Sequence, residues 1–200
     1  MEVSLTTPIK KEDLLSLKLG DIVYLNGRIY TSRDEAHLRA LGYHKEGKEL
    51  PVDLNGATVF HCGPIVRRRG DDWELIAAGP TTSARMNSME PEFIKKFGVG
   101  AIIGKGGMSP PTIETMEKCG SVYLVMTGGA ALLAANGVSK VNGVHWLDLG
   151  MPEALWIFEV SDFGPLVVGI DAHANSLYEA VERDVEGNMI KVRKRLGLDE

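Results

Sequence analysis

The sequence predicts an α/β fold, because strand, loop and helix patterns recur in order along the second half of the chain. The apolar runs VGAIIG and SVYLVM have the length and composition of short buried strands. Each precedes a glycine loop and then a helical pattern, SPPTIETMEKCG after the first run and GGAALLAANG after the second. No linker-like tract or internal repeat divides the chain, so residues 1–200 are expected to form a single domain.

Hairpin patterns dominate the first half of the chain. Residues 22–25 and 28–31 are short apolar runs on either side of Asn26-Gly27, a strong two-residue hairpin signal. A second hairpin is expected to turn at Gly70-Asp71-Asp72, with nearby acids neutralising the Arg67-Arg68-Arg69 run. Helical patterns cover three further segments, near residues 11–17, from about residue 33, and near residues 90–97.

The helix expected from about residue 33 has a recognisable start. Ser32 and Glu35 have the spacing of a capping box, which places Arg33 in the first helical turn beside unpaired backbone N–H groups. Asp34 suits the positive end of the helix dipole. His37, one turn further on, is expected either to support Arg33 or to be an ordinary, partly buried histidine.

The last third of the chain is expected to hold two strands around a turn and a final amphipathic helix. The strands lie within EALWIFEVSDFGPLVVGIDAHAN. The helix, at about residues 176–197, carries an apolar stripe interrupted by Gly187. An earlier helix is expected to start with Ser109 as N-cap and Pro110 at its first position.

Composition and charge limit the classes of function. With 44% hydrophobic and 24% charged residues, the chain is close to the globular average, which excludes a disordered protein. Its formal net charge of −5 disfavours a large nucleic-acid surface, which normally carries a basic excess. No apolar run approaches the ~20 residues of a membrane span, and the N-terminus lacks a signal-peptide pattern, so we expect a cytoplasmic protein.

The glycine loop at residues 103–107, Ile-Gly-Lys-Gly-Gly, indicates close approach of the backbone to an anion. A P-loop is excluded, because Val99 stands where that motif needs glycine and Gly106 where it needs Ser or Thr. The segment Gly104–Gly107 also matches the GXXG clamp of a KH-type RNA-binding module. The helix that follows is acidic, however, which disfavours RNA.

A third candidate anion is a small dicarboxylate, which needs two anchored ends. Arginine binds a carboxylate through two parallel hydrogen bonds, and hydroxyl groups add further donors. Candidate groups of this kind lie at predicted strand–helix junctions: Arg33, His37, Thr81, Thr82, Ser83, Arg85 and Lys105. In α/β proteins, ligands gather beyond the carboxyl ends of strands, although spacing alone does not show that these loops converge.

Five motifs together resemble the β subunit of two-subunit class I fumarases. They are LKLGDIVYLNGRIYTSRDEAHLR, GPTTSARM, IGKGG, VYLVMTGGAA and DLGMPEALWIFEV, and they cover roughly residues 5 to 175. The same unit forms the C-terminal domain of single-chain class I fumarases and is shared with L-tartrate dehydratase. The resemblance implies a swivelling β/β/α domain of three layers with a small barrel-like sheet. It does not account for the helix beyond residue 180.

The resemblance also implies an activity, a partner and a cofactor. The family reaction is reversible hydration of fumarate to L-malate on a [4Fe–4S] cluster, with L-tartrate dehydration as the alternative. An α subunit holds the cluster, in an expected α2β2 heterotetramer, and this chain is expected to bind no metal. Two unpaired cysteines, Cys62 and Cys119, agree with that expectation, because a cluster needs three or four ligands.

Residue roles carried over from the family fall on the candidate loops. Arg33, Arg85, Lys105 and Thr81 are implied to bind the substrate, and Thr81 and Lys105 to be catalytic, with Thr81 as the proton-abstracting group. Glu153 in GMPEA is expected either to support the site from behind or, as the favoured interpretation, to be an exposed strand carboxylate. Support is expected from four neighbouring positions: His37, Thr82, Gly104 and Gly106.

Overall fold

Nine strands and six helices make up the computed structural model, which describes residues 1–198. The strands are β1 (Glu2–Thr7), β2 (Ile22–Thr31), β3 (Thr58–Phe60), β4 (Ile65–Arg69), β5 (Asp72–Ala77), β6 (Ala101–Gly104), β7 (Val122–Val125), β8 (Val138–His145) and β9 (Leu155–Ile170). The helices are α1 (Lys11–Ser16), α2 (Asp34–Lys45), α3 (Glu90–Phe97), α4 (Pro110–Cys119), α5 (Ala131–Asn136) and α6 (Leu177–Leu196), with short 3₁₀ turns at Ser83–Met86 and Leu147–Leu149.

Five strands close into a barrel-like sheet in the order β2-β3-β6-β7-β9, with β9 pairing back onto β2. The first four strands are parallel neighbours, and β9 runs antiparallel to both β7 and β2. Strand β1 extends the sheet beside β2, β8 extends it beside β9, and β4 and β5 form a separate hairpin. This architecture confirms the predicted α/β fold with a small barrel-like sheet.

Alternate residues of the short parallel strands pack into two different cores. Phe60, Ile103 and Leu124 join one apolar cluster, which also includes side chains of β2 and β9. Their preceding neighbours, among them Val59 and Ile102, join a second cluster with residues of α2, α3 and α4. Both faces of these strands are therefore buried, which explains why the strands appear in the sequence as uninterrupted apolar runs.

The predicted hairpin at residues 22–31 is wrong, because this segment is one continuous strand, β2. It pairs with β1 on one side and β9 on the other, so it cannot fold back on itself. Gly27 has a φ of 95°, and a Cβ at this position would lie 2.8 Å from the carbonyl oxygen of Thr7. The Asn-Gly pair therefore permits a close backbone approach instead of a turn.

The two strands expected near the C-terminus are likewise one strand, β9, which is 16 residues long. Its first part pairs with β8 and its last part with β7, while the middle pairs with β2. Asp162 has a positive φ of 47°. A strand that serves three partners in turn cannot be recognised from local patterns, and neither β1 nor β8 was predicted.

Several local expectations are confirmed. The helices at residues 11–16 and 90–97, the helix with Ser109 as N-cap and Pro110 at its start, and the final helix all form. The β4–β5 hairpin forms as well, with Arg67 2.7 Å from Glu74. Within residues 1–198, no helix is both long and apolar enough to cross a bilayer.

The predicted capping box at the start of α2 is wrong. Arg33 occupies the N-cap position, and its own side chain makes no cap hydrogen bond. The Ser32 hydroxyl instead contacts Nδ1 of His37 at 2.8 Å, and the backbone N–H of Glu35 donates to Glu153. The side chains at this helix start are therefore committed to tertiary contacts.

Candidate functional site

Four loops meet at one edge of the barrel, because β2, β3, β6 and β7 are parallel and neighbouring. Arg33 follows β2, His61 follows β3, Lys105 follows β6 and Gly128 follows β7. The predicted residues of three separate motifs thus lie at the carboxyl ends of adjacent strands, where α/β proteins bind ligands. The spacing of these motifs in the sequence could not predict that their loops converge.

The GPTTSARM loop crosses this edge and is held there by backbone hydrogen bonds. The N–H of Thr81 donates to the carbonyl of His61 at 2.6 Å. The N–H of Lys105 donates to the carbonyl of Thr81 at 3.3 Å, and the N–H of Ser83 donates to the carbonyl of Lys105 at 3.0 Å. Thr81 and Lys105 are therefore adjacent, and the side chain of Lys105 passes over Gly128.

Gly104 permits this contact between the two loops. A Cβ at position 104 would lie 1.9 Å from Oγ of Ser83 and 3.0 Å from the hydroxyl of Tyr123. The glycine is therefore needed for close packing of its loop against the GPTTSARM loop. Gly106 faces the methyl group of Thr82, whose side chain is exposed.

A fully buried carboxylate lies behind the loops, between two histidines. Oε2 of Glu90 is 3.1 Å from Nε2 of His61 and 3.3 Å from Nε2 of His37, and all three side chains are 0% exposed. These distances place the carboxylate oxygen against a nitrogen of each ring, although the groups are not aligned as hydrogen bonds. We call Glu90, His37 and His61 the buried cluster.

The buried cluster is tied to the loops that carry the predicted site residues. Nδ1 of His37 lies 2.9 Å from the carbonyl oxygen of Arg33, which only accepts, so this nitrogen carries a hydrogen. Nδ1 of His61 lies 2.9 Å from Oγ of Ser83, to which the Tyr123 hydroxyl donates at 2.9 Å. The cluster therefore supports Arg33 and the GPTTSARM loop from beneath.

Burial and charge have opposite effects on the acid in this cluster. Burial favours the neutral form of Glu90, but the two imidazoles outweigh it and lower the pKa of the carboxyl to about 2. Burial lowers the pKa of His61, against the opposing effect of Glu90. Burial also raises the pKa of Tyr123. Glu90 is accordingly a fixed negative charge at neutral pH.

The same three side chains have the donor types of a metal site, since their ligand atoms lie within 4.8 Å of one another. A structural zinc site needs four ligands, and a catalytic one keeps an open position for water. No fourth histidine, cysteine or acid within residues 1–198 joins this group, and it is closed to solvent. The contacts between the Glu90 carboxylate and the two rings account for the arrangement without a metal.

The two predicted arginines contact acids at the rim of the site. Nε of Arg33 is 2.9 Å from Oε1 of Glu153 and 3.7 Å from Oδ2 of Asp34. A terminal nitrogen of Arg85 is 2.8 Å from the same Asp34 oxygen, although half of the Arg85 side chain is exposed. We call Arg33, Asp34, Arg85 and Glu153 the charged rim. Within this rim, Asp34 contacts both Arg33 and Arg85.

The favoured interpretation of Glu153, an exposed strand carboxylate, is wrong. This residue lies in the turn before β9 and not in a strand, and its side chain is only 17% exposed. Its carboxylate binds Arg33 and also accepts a hydrogen bond from the N–H of Glu35 at 3.0 Å. Glu153 thus fixes both the guanidinium of Arg33 and the start of α2.

The cysteines are placed apart. Cys62 is buried in the cluster formed with β2 and β9, while the half-buried Cys119 packs against the other cluster at the end of α4. Burial raises the pKa of the Cys62 thiol. The thiols of this chain do not make a ligand set for an iron–sulfur cluster, which needs three or four converging ligands.

Comparison with known proteins agrees with this arrangement. The family model described as "Fumarase C-terminus" matches residues 1–181. The chain belongs to this family. It is 52% identical over 178 residues to the "Putative L(+)-tartrate dehydratase subunit beta" of Methanocaldococcus jannaschii, covering 88% of this chain and 91% of the relative.

Two further relatives extend the comparison. The L(+)-tartrate dehydratase subunit beta of Escherichia coli K12 is 49% identical over 177 residues, with 88% of this chain and 87% of the relative covered. The "Putative fumarate hydratase class I" of Geobacillus stearothermophilus is 43% identical over 182 residues, which cover 90% of this chain but 34% of that protein. The "Fumarase C-terminus" unit thus occurs both as a subunit and within longer chains.

Sequence analysis of this family member did not find the buried cluster as a unit. His61 offered a signal, because it directly follows a buried strand on the ligand-binding side of an α/β sheet. Ser83 was noted as a hydroxyl in the loop. Glu90 and Tyr123 gave no signal, since a glutamate in a first helical turn and a tyrosine in an apolar strand are ordinary in both places.

Proposed function

We propose that this chain is the β subunit of a hydro-lyase that catalyses reversible hydration of fumarate to L-malate in an active site shared with an α subunit. The observation that carries the proposal is the backbone pairing of Thr81 with Lys105, next to a loop that ends in Arg85. Names of relatives as "subunit beta" support an α subunit as partner. An α2β2 heterotetramer is part of the proposal.

The charged rim would anchor one substrate carboxylate. Asp34 holds the half-exposed guanidinium of Arg85, and exposed ion pairs of this kind are worth little. A substrate carboxylate that binds Arg85 through two hydrogen bonds can therefore take the place of Asp34. Arg33 is more buried and is held by Glu153, so it would supply a fixed positive charge beside this position.

Lys105 would act on the charge that develops during the reaction. Removal of the proton next to a carboxylate builds negative charge on that carboxylate, and a positioned cation stabilises it more in the transition state than in the ground state. Thr81 lies next to Lys105 and is proposed as the proton-abstracting group. A threonine hydroxyl needs a neighbouring cation to lose its proton, and the backbone pairing of the two residues supports Lys105 in that role.

This chain does not itself fit a [4Fe–4S] cluster, because its two thiols lie in different parts of the core. In the proposed assembly the α subunit holds the cluster. The roles proposed for Thr81, Lys105 and the arginines concern binding and proton transfer, which they perform from their positions on this chain.

L(+)-tartrate is a second candidate substrate. It is favoured by the identities of 52% and 49% to proteins named as tartrate dehydratase β subunits, against 43% to one named as a fumarate hydratase. RNA is disfavoured, because Gly104, the first residue of the GXXG match, is buried against Ser83 and is itself the last residue of the barrel strand β6. Substrate assays therefore have to include both dicarboxylates.

The test is reconstitution of the chain with a cluster-loaded α subunit under anaerobic conditions, with fumarate, L-malate and L(+)-tartrate assayed in parallel. We expect fumarate hydration, and we expect the change Lys105→Met to lower kcat by roughly 100- to 1,000-fold with a smaller change in KM. The matched control is Lys118→Met, which removes an exposed ammonium from α4 and should leave kcat unchanged. Activity of the isolated chain without its partner would overturn the proposal, and activity on L(+)-tartrate alone would assign the second candidate.

A further inference from the structure

Helix α6 extends away from the barrel, and none of its residues is buried. Its first turn contacts the rest of the chain. The ring of Tyr178 lies against Gly107, and the Ser176 hydroxyl caps the helix by accepting a hydrogen bond from the N–H of Glu179. The family match ends at residue 181, so most of α6 lies outside the part of the chain that carries the proposed function.

One side of α6 is apolar along its length. We define the α6 stripe as Val181, Val185, Met189, Val192 and Leu196, whose spacings of four, four, three and four residues place them on one face of a helix. Each of these side chains is between 48% and 65% exposed. In proteins, most of the stability of a helix comes from packing of such an apolar face against another surface. The stripe therefore needs a partner surface.

The charges of α6 are divided between its two halves. The first ten residues, Leu177–Glu186, hold four acids and one arginine, whereas the second ten, Gly187–Leu196, hold four basic residues and no acid. The helix dipole acts only on the first and last turns. It does not account for Glu182, Asp184, Glu186 and Lys191, which lie in the middle turns.

These charges also flank the α6 stripe in a defined order. At 100° per residue, one flank carries Glu182 and Glu186 and then Arg193. The opposite flank carries Asp184, followed by Lys191 and Arg195. Each flank thus changes from acidic to basic along the helix.

We propose that α6 pairs antiparallel with α6 of a second copy of this chain. Antiparallel pairing about a two-fold axis near Met189 brings Val181 opposite Leu196 and Val185 opposite Val192 of the second copy. The same register places the acidic half of each flank against the basic half of the other copy. Both the apolar and the charged patterns are therefore satisfied by one self-complementary interface.

Other arrangements fit the observations less well. Parallel pairing would place the acidic halves together and the basic halves together, which is repulsive. Gly187 lies on the side away from the stripe, about 160° from Val185, so it leaves the proposed contact uninterrupted. The stripe from Val181 to Leu196 is about 22 Å long, which suits a modest, reversible contact between two copies.

The first test is analytical ultracentrifugation of the full chain. We expect a reversible dimer, and we expect Val185→Glu to weaken it at least tenfold, because the change places two like charges in the apolar contact. The matched control is Ile190→Glu, an equally exposed apolar residue on the opposite side of the helix. That variant should dimerise like the wild type, with the same circular dichroism spectrum.

A second test concerns charge order. One variant carries lysine at Glu182, Asp184 and Glu186, and the other carries glutamate at Lys191, Arg193 and Arg195. Each should be monomeric alone, and an equimolar mixture should recover the dimer.

A third test determines the relative orientation of the two α6 helices by disulfide cross-linking, in a chain that also carries Cys119→Ser. Val181→Cys in one copy should form a disulfide with Leu196→Cys in the other, and copies that carry only Val181→Cys should not cross-link. A wild-type chain that stays monomeric at its highest soluble concentration would overturn the pairing. So would Val185→Glu abolishing binding of the α subunit while dimerisation persists, because the stripe would then belong to that partner.

Discussion

Glu90 and Asp34 are two carboxylates at the same edge of the barrel in opposite environments. Glu90 is 0% exposed and lies between two imidazoles, whereas the Asp34 side chain is 25% exposed and contacts two arginines. Glu90 pairs with groups that are as buried as itself. Asp34 pairs with Arg85, whose side chain is half exposed.

This difference in exposure suits the two regions to different roles: support of the loops for the buried cluster, and ligand binding for the charged rim. The buried cluster holds its charge in a closed place that a substrate does not enter, so its effect on a ligand passes through the loops it supports. At the charged rim the Arg85 side chain is half exposed, so its ion pair with Asp34 is weak enough to be exchanged for a substrate carboxylate, while Arg33 and Glu153 are largely buried. The two regions should therefore respond differently to the same kind of substitution.

The largest effect is expected at Glu90. Glu90→Gln keeps the size of the side chain but replaces the buried carboxylate that both rings contact with a neutral amide, which should cost about 3–5 kcal/mol in the free energy of unfolding. Urea denaturation monitored by circular dichroism measures this loss. Glu92→Gln, an exposed acid on the same helix, is the matched control and should leave the midpoint nearly unchanged. Equal midpoints for the two variants would contradict the role of the buried cluster.

Low pH should abolish the contribution of Glu90 to the free energy of unfolding. The pKa of Glu90 is lowered from 4.5 to about 2, so its stabilisation is complete above pH 4.5 and is lost as the pH falls towards 2. The shift corresponds to about 3 kcal/mol. Because the pKa of His61 is also lowered, its contribution starts to decline below its ordinary value of 6.5. Unfolding free energies of wild type and Glu90→Gln should therefore converge between pH 4.5 and 2, and parallel curves would exclude this assignment.

A smaller effect, on activity and not on stability, is expected at Arg85. Arg85→Lys keeps the positive charge but removes the planar fork that binds a carboxylate through two hydrogen bonds. In the reconstituted enzyme, kcat/KM should fall roughly ten- to a hundred-fold. The urea midpoint should stay unchanged, since the Arg85 side chain is half exposed. Wild-type kinetics in this variant would remove Arg85 from the site.

The smallest effect is expected at Asp34. Asp34→Asn removes the carboxylate that bridges Arg33 and Arg85, yet it should change the free energy of unfolding by less than about 1 kcal/mol, because its closer partner, Arg85, is half exposed and water can replace that ion pair. The same denaturation experiment as for Glu90→Gln measures it. A loss as large as that of Glu90→Gln would show that the two carboxylates play the same structural part.

The sequence by itself determined the α/β class, most helices, and the loops that carry Arg33, Arg85 and Lys105. These features depend on local chemistry: apolar runs, proline at a helix start and glycine at close approaches. The prediction of two strands at β2, and again at β9, was wrong. Whether the chain turns at an Asn-Gly pair or continues as one strand depends on partner strands that are far away in the sequence. A strand shared by several neighbours has no local signature.

Only the tertiary structure decided which loops meet and what lies beneath them. Parallel pairing of β2, β3, β6 and β7 brings their carboxyl ends to one edge, which is a property of the sheet and not of any one segment. Glu90 and Glu153 are ordinary acids in the sequence. Glu90 becomes a buried carboxylate beside two histidines, and Glu153 becomes the ion-pair partner of Arg33, because long-range packing sets both the burial and the charge partners of a side chain.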